Sequence, residues 1–163
     1  MEIKPTSMTS GILKRIINDK PCAFAYVNGD GISGTISFYS YKDGTVMIYE
    51  INGLPVSKNE DEGIFGFHIH EGDTCINDTN IAYEKTFGHL NPTNKQHPYH
   101  LGDLPPLFAV NGTAWAIVFI DKFKPEDIMN RTIVIHDKPD DFHTQPSGNS
   151  QTKIACGIIK KFY

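Results

Sequence analysis

Seven short segments in which apolar and polar residues alternate leave this chain little choice but an antiparallel sheet. They span 23–27, 34–41, 45–51, 65–71, 113–120, 131–136 and 154–159, and their β-branched and aromatic side chains suit a pleated surface with one face buried. Turn signals separate them at Asn28-Gly29-Asp30-Gly31, Lys42-Asp43-Gly44, Asn52-Gly53 and Asn111-Gly112, and Asn-Gly is a strong hairpin marker. The pattern predicts a sandwich or barrel. Helical spacing is weak and confined to 9–18 and to 124–129, where Lys124-Pro125 places proline in a first turn.

Two connections are long, 72–110 and 137–153. Structureless loops of that length in a compact domain usually carry function. Neither internal repeats nor low-complexity tracts interrupt the chain, and 163 residues with 39% hydrophobic content suit one domain. A formal charge of -4 argues against a broad basic surface for nucleic acid or anionic lipid. The longest apolar runs, such as Ala114-Trp115-Ala116-Ile117-Val118-Phe119-Ile120, fall far short of the roughly 20 residues a membrane span needs. Residues 1–21 contain only the broken run 12–17, which lacks the apolar core of a secretory signal, so a soluble cytoplasmic protein is expected, with an exported form left open. Cys75 and Cys156 form one conceivable pair that leaves Cys22 over. Spacing alone does not establish a bridge.

Six of the seven histidines fall into three clusters: His68 and His70, then His89, His97 and His100, then His136. On a strand, residues two apart share a face, so His68 and His70 should stand roughly 6 to 7 Å apart while Phe65, Phe67 and Ile69 face the core. Two imidazoles at that separation can grip one ion, and His136 can join them from another strand. By itself this pair is as compatible with a surface as with a metal. The second cluster adds His97, His100 and Asp103 at intervals of three, with His89 as a fourth donor. Nitrogen and carboxylate ligands of that number suit a closed tetrahedral zinc site.

These residues resemble the copper/zinc superoxide dismutases, in the bacterial manner, from about Cys22 onward. The likeness rests on Gly-Phe-His-Ile-His-Glu at 66–71, Gly-His-Leu-Asn-Pro at 88–92, His-Leu-Gly-Asp-Leu at 100–104, Val-Ile-His-Asp-Lys-Pro-Asp-Asp at 134–141 and Ala-Cys-Gly-Ile-Ile at 155–159. The resemblance implies an all-β fold, a Greek-key, eight-stranded flattened barrel or sandwich with two long functional loops. It implies an extension at 1–21 and a catalytic domain at 22–163. It assigns copper to His68, His70, His89 and His136 and zinc to His89, His97, His100 and Asp103, so that His89 bridges the two. Asp140 would accept hydrogen bonds from His68 and His97, and such partners fix ligand tautomers. Cys75 and Cys156 would form the family disulfide, leaving Cys22 as a free core thiol.

The implied activity is disproportionation of superoxide to dioxygen and hydrogen peroxide, with copper cycling, zinc supporting the bridge, and His89 carrying a proton. Where the family has an arginine that guides the anion, this chain has Lys153. Lysine keeps the charge but loses the planar fork, so somewhat lower efficiency is expected. His143 matches no family ligand and should be exposed. A homodimer is one family arrangement among several. The principal alternative is a non-enzymatic relative that keeps zinc for structure, and copper storage is a third reading that the absence of a sulfur cluster disfavours.

Overall fold

The structure is a computed structural model that describes residues 7–56, 63–76 and 80–163, without the side chains of Ser7 and Ile17. The first six residues of the expected extension lie outside the described residues. Helix α1 (Ser7–Asn18) is followed by strands β1 (Ala23–Gly29), β2 (Ser33–Tyr41), β3 (Gly44–Asn52), β4 (Ile64–Phe65), β5 (Phe67–His70), β6 (Leu107–Phe108), β7 (Ala114–Ile120), β8 (Thr132–His136), β9 (Lys153–Ile158) and β10 (Lys160–Lys161). All seven expected strands form.

Eight strands make one sheet in the order β5-β8-β9-β1-β2-β3-β7, with β10 also paired to β1, and β4 pairs with β6. Every pairing is antiparallel. Because β4 runs into β5 through Gly66, β6 continues the sheet beyond its β5 edge. The next strand, β7, forms the opposite edge, and only residues 109–113 separate it from β6. A link that short draws the two edges together, so the sheet has to curl.

Alternation decides which face is inside. Ala23, Ala25, Val27, Ile36, Phe38, Met47, Tyr49, Ile51, Phe67, Ile69, Ile133, Ile135 and Ala155 fill one apolar core. Burying a large side chain such as Phe67 contributes roughly 1.5–3 kcal/mol. Phe65, Phe67 and Ile69 face this core as expected, and His68 and His70 therefore leave β5 on the other side.

Helix α1 begins two residues before its expected start and packs against β2. Met8, Ile12 and Ile16, four apart, are half-buried, Arg15 Nε donates to the Ser40 carbonyl at 2.9 Å, and the Tyr41 hydroxyl donates to the Met8 carbonyl. A Cβ at Gly11 would strike that hydroxyl, so a helix-weakening glycine is kept where the helix touches the sheet. The expected helix at 124–129 is a single 3-10 turn, Pro125–Ile128, with Asp127 accepting from the Lys124 amide at 2.8 Å. The first long loop also contains elements the periodicity did not announce, a 3-10 turn at Glu84–Thr86 and the two-residue strand β6.

The disulfide Cys75–Cys156 ties this loop to β9. Cys22 is free but half-buried just ahead of β1, rather than a core thiol.

Candidate metal centre

Backbone pairing carries the first long loop onto β5. Ile69 N–H donates to the Gly102 carbonyl at 2.9 Å, Leu90 N–H to the Ile69 carbonyl at 2.8 Å and Glu71 N–H to the Gly88 carbonyl at 3.0 Å. These bonds set His89 opposite His70 and Asp103 opposite His68. A Cβ at Gly102 would collide with the Ile69 carbonyl, so only glycine permits the approach. From the next strand, β8 pairs His70 with Thr132 and His68 with Val134, which brings His136 beside them.

Two groups result: His68, His70, His89 and His136, and His89, His97, His100 and Asp103. Within each group, the donor atoms lie within 4.8 Å of one another. All seven side chains are buried under the loops. The His68 and His70 ring centroids are 6.3 Å apart, within the strand-spacing expectation, and His68 stacks on His89 at 3.9 Å.

Hydrogen bonds fix the tautomers. His70 Nδ1 faces the Phe87 carbonyl at 2.9 Å and His136 Nδ1 faces the Gln151 carbonyl at 3.2 Å. A carbonyl only accepts, so both Nδ1 atoms carry the proton and both Nε2 atoms are bare. Those two Nε2 atoms are 3.2 Å apart. Two lone pairs repel at that distance unless a cation lies between them. Asp140 does the same work from the other ring nitrogen, accepting from His68 Nε2 at 2.8 Å and from His97 Nε2 at 2.9 Å. Both Nδ1 atoms are then bare. His97 Nδ1 sits 3.2 Å from Asp103 Oδ2 and His100 Nδ1 sits 3.3 Å from Asp103 Oδ1, again acceptor against acceptor for His97. Among the described residues, the buried side-chain nitrogens without a hydrogen-bond partner are His68 Nδ1, His89 Nε2, His97 Nδ1 and His100 Nδ1. Leaving such atoms orphaned costs about 1–3 kcal/mol each, so the donor set fits two metal ions.

Titration agrees with this pattern. Burial lowers His136 to about 3, with the neighbouring His68 adding to it. Burial also brings His89 to about 4 against the opposing pull of Asp103, and pushes His70 well below its ordinary value. All three rings are neutral near pH 7, the form that binds metal. Burial on its own would raise Asp103, but the hydrogen bond from His89 Nδ1 at 2.7 Å and the surrounding groups bring it to about 2. In Asp140 the bonds from His68, the Phe142 amide and His97 likewise outweigh burial and lower the carboxyl.

Lys153 stands at the edge of the first group. Its ammonium donates to Thr86 Oγ1 at 2.8 Å, to the Phe87 carbonyl at 2.9 Å and, more weakly, to the Tyr83 carbonyl at 3.4 Å. Burial lowers its pKa, with Glu84 opposing. Its three protons are thus engaged with the first loop. Lys153 also lines a recess with Ile81, Ala82, Gln151 and Thr152. His143 is exposed, as expected.

Four contributors escaped the sequence reading. The Phe87 carbonyl orients His70. Gln145 bonds the His97 backbone. Lys122 reaches the carbonyls of Pro98, His100 and Asp103. Gly148, at φ +65°, leaves room for the Asp140 carboxylate, which a Cβ there would strike. Of these, Gly148 is the one whose residue type is itself a turn signal.

Comparison with known proteins agrees with this geometry. The family model described as copper/zinc superoxide dismutase matches residues 32–159. The chain is 34% identical over 149 residues to a Cu-Zn superoxide dismutase of Neisseria meningitidis, covering 82% of this chain and 77% of that protein. It is 33% identical over 135 residues to one from Legionella pneumophila, covering 78% and 77%. The solved Cu/Zn superoxide dismutase of Brucella abortus superposes with a TM-score of 0.70 at 24% identity, covering 83% of this chain and 98% of that one, and supports the fold. Among the described residues, no helix is long and apolar enough to cross a membrane.

Proposed function

The chain belongs to the copper/zinc superoxide dismutase family, and on that premise we propose that His68, His70, His89 and His136 hold copper while His89, His97, His100 and Asp103 hold zinc. It is an oxidoreductase that disproportionates superoxide into dioxygen and hydrogen peroxide. The assignment is carried by the crowding of bare lone pairs, His70 against His136 and His97 against Asp103, with His89 shared between the groups. Imidazole suits both metals, and an added carboxylate suits zinc.

Bound copper supplies a one-electron couple, whereas zinc is redox-inert. The protein's residues set the rest. Carbonyls at Phe87 and Gln151 turn two rings so that Nε2 points inward, and Asp140 turns two others so that Nδ1 points inward. His89 turns Nδ1 to Asp103 of the second group and leaves Nε2 without a partner; holding both ions it would give up the Nδ1 proton, and Nε2 would be the atom at which it holds and releases a proton. Lys153 supplies a fixed positive charge at the recess, drawing in the anionic substrate by its field, since its own protons are engaged with loop oxygens. The unit carrying this centre is 22–163.

Metal analysis, anomalous scattering at the copper and zinc edges, and a superoxide-consumption assay on metal-loaded protein test the reading together. Copper at the first group, zinc at the second and turnover are expected. Zinc alone without turnover selects a structural role, and copper without turnover selects storage.

A further inference from the structure

We propose that Gln145 is a positioning residue for the zinc half of the centre, acting through the backbone of His97 rather than on a metal. Its side-chain oxygen accepts from the His97 N–H at 3.0 Å, and its Nε2 donates to the His97 carbonyl at 2.8 Å. One amide thus satisfies both polar groups of one ligand residue. The ring of that residue is held separately, Nε2 donating to Asp140 at 2.9 Å. Gln145 and Asp140 belong to the same loop, so a single segment fixes the main chain and the imidazole of His97. What remains free is Nδ1, aimed at Asp103.

Two-point docking explains the residue type. A glutamate would keep the acceptor and lose the donor, and a methionine of similar length would lose both. Neither bond of Gln145 involves a metal, so the clamp is in place before zinc arrives and lowers the ordering cost of binding it. The coupling is reciprocal: zinc on His97 stabilises the loop that carries Gln145, because each favours the same arrangement. The inference rests on the reading of His97 as a zinc ligand.

The test uses the full chain loaded with zinc, comparing wild type with Gln145→Met and Gln145→Glu. Zinc release into a chromophoric chelator and amide exchange at His97 are measured. Release should be about tenfold faster in Gln145→Met, the scale seen when partners behind metal ligands are removed, with Gln145→Glu between the two. The His97 amide should lose protection while the Gly102 amide, bonded to the Leu90 carbonyl, keeps it. Release within twofold of wild type in Gln145→Met, or equal loss of protection at His97 and Gly102, overturns the proposal. If the wild-type chain takes up no zinc, the ligand assignment fails instead, and exchange at His97 in metal-free protein still decides whether Gln145 holds it.

Discussion

Lys153 and His70 meet at one atom: the Phe87 carbonyl oxygen accepts from the Lys153 ammonium and from His70 Nδ1, each at 2.9 Å. Phe87 reaches both with its backbone at φ 58°, a conformation few non-glycine residues adopt. The cation proposed to draw in the substrate is therefore also joined, through a single carbonyl, to the tautomer of a proposed copper ligand.

Replacing Lys153 separates these roles. Lys153→Met should lower kcat/KM roughly tenfold and flatten its dependence on ionic strength, since a guiding charge acts mainly on encounter. Lys153→Arg should raise kcat/KM, because a planar fork with five donors can hold the loop oxygens and still present protons to an anion. Stopped-flow decay of superoxide across a salt series measures both; an unchanged rate and salt dependence for Lys153→Met would refute the guidance role, and an unchanged or lower rate for Lys153→Arg would refute the gain from the fork.

Asp140 holds one ring of each metal group, so its loss should loosen both. In Asp140→Ala, copper and zinc should each transfer to a chelator about 10–100-fold faster than in wild type. Loss of only one metal would show that the carboxylate serves only one ring.

The metal-free protein should weaken in acid. His89 and His136 titrate near 4 and 3 when folded and near 6.5 when unfolded. Between those values the unfolded chain binds more protons, so stability is full above pH 6.5 and falls as pH drops, by at most about 1.4 kcal/mol per pH unit for each group. Urea midpoints of chelator-treated protein at pH 7.5, 6 and 5 should decrease in that order. A flat series would mean that the rings are already charged in the folded state.

Reduction should cost stability as well as order. The Cys75–Cys156 bridge spans a sequence separation of 81, and closing a loop of that size contributes about 4.5 kcal/mol in the chain-entropy account. A paired Cys75→Ser, Cys156→Ser variant should unfold at markedly lower urea, and an unshifted midpoint would show that backbone pairing alone anchors the loop.

The strands and the residues that cluster at the site were legible because each follows a local rule or the family pattern. His68 and His70 obey the two-residue period of β5, the family motifs contain His89, His100, Asp103, His136, Asp140 and Cys156, and the resemblance extends the assignment to His97 and Cys75. Elements of two residues such as β6 and β10 have no period to read. The contacts that orient the ligands run from side chains to carbonyls of distant loops, as with Lys122, Gln145 and Phe87, and a carbonyl has no sequence identity. The bonds of Lys153 to the first loop went unread for the same reason, since nothing in the chain announces that Thr86 and Phe87 will meet it.

Strand β5 turns its aromatic and aliphatic side chains one way and its imidazoles the other, so scaffold and chemistry occupy opposite sides of a single ribbon. Trimming Ile69 to valine would therefore register in melting temperature while leaving turnover nearly untouched. Such insulation lets the interior drift through many packings without retuning the reaction, provided that the strand keeps its register.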